Sequence, residues 1–295
     1  MVPKTGARMR KYILGLLALL VLMLLWGGYY GAKMFATSLA EKKLDSVLTR
    51  MADTVAVTYR DVDVELLGLN LLLTDMSFAL AKGQSFTVDA ITVEDIDIAH
   101  SKPHYLVASL KGVALDITEE NLGSQAETLR ELGYAKLKAD LKVDFAYDEE
   151  AHRLVINSLD VRCPEVGNFR LTLALSAFSP ERLKQGAFED LIVDTLRFDY
   201  DDLSFLKRLT ELASEGDQQF MDFVVKGLQE DIETARRESD MDQIQSLSAL
   251  VSFLKRPGRI SIRSHLNKRV TIRYILQEKK ISKLLQLISI RFSSG

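Results

Sequence analysis

Residues 134–150 read YAKLKADLKVDFAYDEE. Leu137, Ala139, Leu141, Val143, Phe145 and Tyr147 fall at every second position, and Lys136, Lys138, Asp140, Lys142 and Asp144 fill the gaps. Successive side chains of a strand point to opposite faces, so this pattern predicts a strand with one buried and one wetted face. Clean alternation of this kind belongs to antiparallel sheets. Downstream, RLVINSLDVRC (153–163), NFRLTLALSAF (168–178) and LIVDTLRFDY (191–200) continue the same pattern as neighbouring strands.

Upstream the alternation is present but changes phase. Val55, Val57 and Tyr59 give way to Val62 and Val64, and Leu69, Leu71 and Leu73 to Met76, Phe78 and Leu80. The turn signal Lys82-Gly83-Gln84 is followed by Phe86, Val88 and Ala90, then by Ile91, Val93, Ile96 and Ile98. Lys102-Pro103 breaks the run before a strand over 105–117. Each phase change moves side chains to the other face, which predicts bulges or strong bends. Residues 121–133, NLGSQAETLRELG, predict a helical interruption.

Beyond Asp202 the apolar period becomes helical. Leu203, Leu206, Leu209 and Leu212 mark one helix; Phe220, Phe223, Val224 and Leu228 a second; Ile244, Leu247, Leu250, Val251 and Leu254 a third. Arg256-Pro257-Gly258 ends that block, RISIRS (259–264) reads as a short strand, and KKISKLLQLISIRF (279–292) reads as a closing helix.

The N-terminal region is of another kind. Tyr12 to Ala32, YILGLLALLVLMLLWGGYYGA, contains no charge. About 20 apolar residues in a helix cross a hydrocarbon core about 30 Å thick. Leu14, Leu17, Leu20, Leu24 and Trp26 are therefore assigned to a transmembrane anchor, with Trp26, Tyr29 and Tyr30 at its headgroup end. Lys4, Arg8, Arg10 and Lys11 precede it, so the N-terminus is expected to stay cytoplasmic. A cleaved signal peptide is the competing reading, with Ser38-Leu39-Ala40 as a loose cleavage site far beyond the apolar run. No Gly or Pro break separates the anchor from an amphipathic stem over 33–53.

The net charge of −3 conceals an uneven distribution. Residues 1–36 hold five basic and no acidic side chains, and 255–295 hold eleven basic ones against Glu278. The 22 basic and 40 acidic residues between them argue against nucleic acid as a partner. Ile281, Leu284, Leu285 and Ile288 share a helical face in the closing segment, so Lys279, Lys280, Lys283 and Arg291 are candidates for a membrane-surface contact. The alternative is that this segment packs on the acidic middle of the same chain.

The remaining constellations favour plain readings. Asp61, Asp63 and Glu65, like Asp95 and Asp97, alternate as on a solvated strand face and lack the loop spacing of a calcium site. His100 and His104 flank Pro103 with no cysteine or third histidine near them, and read as loop histidines rather than metal ligands. Asp201 or Asp202 reads as a helix cap. Cys163, the sole cysteine, excludes an intrachain disulfide and reads as a small hydrophobe. No nucleophile elbow, phosphate loop, dinucleotide turn or zinc-protease motif occurs, so no catalytic residue, metal or cofactor is assigned.

The order of elements, with VTYRDVDVELLGLNLLLTDMSFAL (57–80) and GQSFTVDAITVEDIDI (83–98) after a basic tail and an anchor, resembles the AsmA/TamB-like bacterial envelope proteins and the related YdgA-like proteins, mainly over residues 10–117. This resemblance implies a bacterial inner-membrane protein with a periplasmic domain that binds lipid or another envelope protein. The chain is shorter than the large AsmA-like proteins, and its helical block interrupts the β pattern.

The expected fold is α+β: a transmembrane helix, then a curved, mainly antiparallel sheet, then a C-terminal helical subdomain. The expected units are a basic tail (1–11), the anchor (12–32), the stem (33–53), a β-rich domain (54–200), a helical subdomain (201–254) and a basic strand and helix (255–295). The expected function is non-enzymatic envelope maintenance, through binding lipid or another envelope protein, with a structural subunit or scaffold of a membrane complex, or an enzyme of unrecognised type, as alternatives.

Overall fold

A computed structural model describes residues 29–295, apart from 47, 50–51, 53–54, 82, 98, 101–102, 217, 265–268, 279–282, 285–286 and 294–295. Helix α1 covers 29–46. Nine strands follow: β1 (Val55–Thr58), β2 (Asp61–Glu65), β3 (Asn70–Leu80), β4 (Ser85–Ile96), β5 (Tyr105–Asp116), β6 (Lys136–Asp148), β7 (Arg153–Cys163), β8 (Gly167–Ser176) and β9 (Ile192–Asp202). Short helices α2 (Glu119–Leu122) and α3 (Gln125–Glu131) separate β5 from β6, and α4 (Pro180–Lys184) separates β8 from β9. Then come α5 (Phe205–Gly216), α6 (Gln218–Glu238), α7 (Met241–Lys255), β10 (Arg259–Ser264), β11 (Val270–Thr271), α8 (Ile272–Gln277) and β12 (Ile288–Ser293). The fold is α+β, a mostly antiparallel open sheet with several helices.

All twelve strands form one sheet in the order β1-β3-β4-β5-β6-β7-β8-β9-β10-β12, with β2 extending β1 along β3 and β11 pairing with β9. The register lines up apolar residues across its whole width. One row runs Val62, Leu73, Ile91, Leu110, Leu141, Val161, Phe169, Tyr200, Ile260, Phe292. A second runs Val64, Leu71, Val93, Ala108, Val143, Leu159, Leu171, Phe198, Ile262, Ile290. The other face is charged, with Arg170 on Asp160, Arg197 on Asp199, Arg259 on Asp201 and Lys142 on Glu94. Exposed pairs of this kind contribute at most about 1 kcal/mol each, so the apolar face carries the stability.

Helices cover that apolar face in patches. Ala40 and Leu44 of α1 pack on Val62, Leu73, Met76 and Val88 at one edge. Lys33 pairs with Asp63 at 2.9 Å, and the Thr37 hydroxyl accepts from the Val64 N–H. At the other edge, Leu206, Leu228, Ile232 and Leu247 of α5–α7 close on Ile260 and Ile290. A third cluster around Ile117, Ala126, Leu132 and Tyr134 seals one end beneath α3.

The phase changes have identifiable causes. Asp75 lies between Leu73 and Met76 with φ 48°, and Gly112 lies between Leu110 and Val113 with φ 63°. Further register shifts occur at Val93/Asp95, Asp144/Phe145, Ile156/Leu159 and Ala174/Leu175.

The closing helix expected over 279–292 is corrected: residues 288–293 form β12, antiparallel to β10. Its alternation places Ile290 and Phe292 against α7, and the Ile290 N–H donates to the Ser246 hydroxyl. The transmembrane helix expected over 12–32 lies outside the described residues up to 28, as do Leu14, Leu17, Leu20, Leu24 and Trp26. Among the described residues no helix is long and apolar enough to cross a membrane.

Candidate functional site

The middle strands carry the least covered part of the apolar face. Ile96, Leu106, Phe145, Ile156, Leu173 and Leu196 form a third row across β4–β9, near the end of the sheet opposite α2 and α3. Every apolar side chain of the 137–147 face is only half-buried, although Lys136, Lys138 and Lys142 face water as expected. The result is an open trough lined by Pro103, Val143, Phe145, Tyr147, Leu154, Ile156, Phe178 and Pro180, with a volume of about 400 Å³. Ligand pockets are commonly about 300–1,000 Å³ and mostly apolar.

The trough is built by two chain features. The bulge at Asp144/Phe145 and its counterpart at Ile156/Leu159 keep Phe145 opposite Ile156 and Tyr147 opposite Leu154. Ala177, with φ 58°, turns the chain after β8, and Phe178 then meets Tyr147 edge to face at 5.4 Å between ring centres.

A polar cluster sits at the rim. Asp97, 6 % exposed, accepts from the Ala99 N–H at 2.9 Å, the His104 N–H at 3.0 Å and His100 Nδ1 at 2.7 Å. The His104 backbone N–H and the other two donors hold its carboxyl down to about 2 against the opposing effect of burial. The two imidazoles stack at 4.0 Å, His104 meets Tyr147 edge to face at 5.8 Å, and His104 Nε2 lies 3.6 Å from Glu149. An aromatic line thus runs from His100 to Phe178 across the trough mouth. Asp97, His100 and His104 offer ligand atoms within 4.8 Å of one another, a set that a metal ion could use. Each Asp97 oxygen already has its donors, so the cluster also stands as a lock on the 97–104 loop. The sequence pattern put Asp97 on a solvated strand face; β4 instead ends at Ile96 after the shift at Val93/Asp95.

The charged face holds a second groove, lined among others by Arg162, Arg170, Arg197, Asp199, Asp201 and Arg263. Its carboxylates are already engaged: Asp199 by Arg197 and Ser261, Asp201 by Arg259, Asp160 by Arg170 and Ser158. Asp202 caps α5 by accepting from the Leu206 N–H at 2.9 Å, and the Tyr200 hydroxyl donates to it, so Asp199, Asp201 and Asp202 have structural partners. Of the candidate membrane-surface residues, Arg291 is exposed on β12 and Lys283 pairs with Glu278 at 3.2 Å; Lys279 and Lys280 lie outside the described residues. The structure does not bring these together with the trough.

Known sequences similar to this chain include the following. A family model described as "Uncharacterized protein" matches residues 160–294, from the second half of β7 through β12. An uncharacterized protein of Aquifex aeolicus (strain VF5) is 23% identical over 222 residues, covering 70% of this chain and 71% of its own. Neither match is to an AsmA/TamB-like or YdgA-like protein, so that resemblance is corrected. It rested on alternating apolar residues, which any long antiparallel sheet with a wetted face produces.

Proposed function

We propose that the chain is a single-pass envelope protein that holds an acyl chain of a membrane lipid in the trough on its apolar sheet face. The observation that carries this reading is the incomplete cover of that face. Helices shield it at both edges, while Phe145, Tyr147, Leu154 and Ile156 stay half-buried beneath an open groove. Exposed contiguous apolar surface in a folded protein generally marks a binding surface.

The uncharged run 12–32 supplies the anchor and α1 continues it as the stem. The basic tail at Lys4, Arg8, Arg10 and Lys11 favours a cytoplasmic N-terminus, which puts the sheet on the far side of the membrane. The register shifts support reading the sheet as curved, because bulged strands bend.

The proposed role is binding. The carboxylates Glu94, Asp97, Glu120, Asp160 and Asp199 are held charged by hydrogen bonds and neighbouring cations rather than poised as general acids.

Native mass spectrometry of the full-length chain, released from mild detergent, tests the reading. The expected result is a copurifying lipid that is lost in Ile156→Trp, whose indole fills the trough, with the melting transition retained. Absence of lipid from the parent, or equal lipid in parent and variant, overturns it.

A further inference from the structure

The direction of α1 relates the sheet to the membrane. The Asp45 carboxylate of α1 accepts from the Tyr59 hydroxyl, Thr37 meets Val64, and Lys33 meets Asp63. The helix therefore runs antiparallel to the β1–β2 edge, and its N-terminal end lies where β2 turns into β3. Antiparallel pairing carries that end across the sheet. The β2–β3 tip, the 97–104 loop, the β6–β7 hairpin, the 177–191 connection and α8 all lie on it.

This end carries most of the large exposed apolar side chains. Leu67 and Leu69 at the β2–β3 tip are 89% and 77% exposed, and Leu276 of α8 is 63% exposed. Phe188, Tyr274 and Ile275 are also exposed there. Of the sixteen large apolar side chains exposed among the described residues, twelve lie on this end or on residues 29–35 of α1 leading from it. Acidic side chains are exposed at both ends, Glu119, Glu120, Glu127, Glu131 and Glu165 around α2, α3 and the turn after β7, and Asp148, Glu149, Glu150, Glu181 and Glu189 here, so the apolar side chains are what set the two ends apart. Backbone placement fixes α8 firmly: the Ile272 N–H donates to the Leu191 carbonyl and the Arg273 N–H to the Glu189 carbonyl.

We infer that this end of the sheet is seated in the surface of the lipid bilayer, with the Leu67–Leu69 tip and α8 in the interfacial layer and the trough mouth opening directly onto lipid. The inference rests on the membrane anchor of the reading above and adds how the trough is filled. An acyl chain enters from the bilayer past Pro103 and Phe178 without crossing water. The contact is apolar rather than electrostatic. Arg269 pairs with Asp194, Arg273 with Glu189 and Asp190, and Lys283 with Glu278, so these cations are already engaged within the chain. Aromatic and leucine side chains suit the interface between headgroups and acyl chains.

Fluorescence quenching in vesicles tests this. Full-length Leu67→Cys, Leu276→Cys and Thr128→Cys variants are labelled with a bimane and reconstituted in neutral phosphatidylcholine containing doxyl-labelled lipid. The parent sets the background: Cys163 is buried, and burial raises its thiol above the usual range. Labels at 67 and 276 are expected to lose most of their fluorescence, in low and high salt alike, and the label at 128 on α3 to lose none. A chain that floats with the vesicles while 67 and 276 behave like 128 overturns the seating and leaves the anchor standing. A chain that does not float overturns both. Quenching that needs anionic lipid and vanishes in high salt overturns the apolar contact.

Discussion

Leu141 lies mid-row on the apolar face, between Leu110 and Val161. Its side of β6 was legible from alternation alone, because the register leaves no other face for it. How deeply it is buried was not legible, since that depends on which distant helices cover the strand. Leu141→Asp is expected to destabilise the domain by a few kcal/mol, as burying an unpaired charge does, and Lys142→Ala by far less. Denaturant titration of both variants checks the register; equal midpoints would contradict it. Asp97 gives a pH prediction. Its carboxyl is held at about 2, below the ordinary 3.8, so it contributes stability that is present above 3.8 and lost as pH falls toward 2. The melting temperature of Asp97→Asn should trail the parent at neutral pH and converge with it over that window. A gap that persists unchanged at the acid end would contradict the hydrogen-bonded lock.

At the scale of elements, the three helices after β9 were legible because their apolar period is 3.6 and Asp202 stands where α5 needs a cap. Asp202→Ala is expected to cost about 1 kcal/mol, measured as a lowered unfolding midpoint. The final strand was misread for a physical reason. Leu284, Leu285 and Ile288 sit at helical spacing, while Ile288, Ile290 and Phe292 alternate, and the two patterns overlap. Only pairing with β10 decides between them. Ile290 is buried against α7, so Ile290→Ala should cost about 2–5 kcal/mol. A melt indistinguishable from the parent would detach β12 from the core. The trough itself was not legible, because Pro103, Phe145, Ile156 and Phe178 come together only through strand pairing and the turn at Ala177.

For the whole molecule, the proposal of lipid binding rests on one sheet with an apolar and a charged face, an open trough and exposed apolar side chains at the end next to the start of α1. A reporter active only outside the cytoplasm, fused after Gly295, is expected to work, and a cytoplasm-only reporter at the same point to fail; the reverse would invert the topology. The proposed lipid site is tested most directly by photo-crosslinking. Full-length protein in vesicles carrying a phospholipid with a photoreactive acyl chain would be irradiated and its labelled peptides mapped. Labels are expected on β6 and β7, at Phe145, Tyr147, Leu154 or Ile156, and to disappear in Ile156→Trp. Labels confined to residues 12–35, with none on β6 or β7, would contradict lipid binding in the trough.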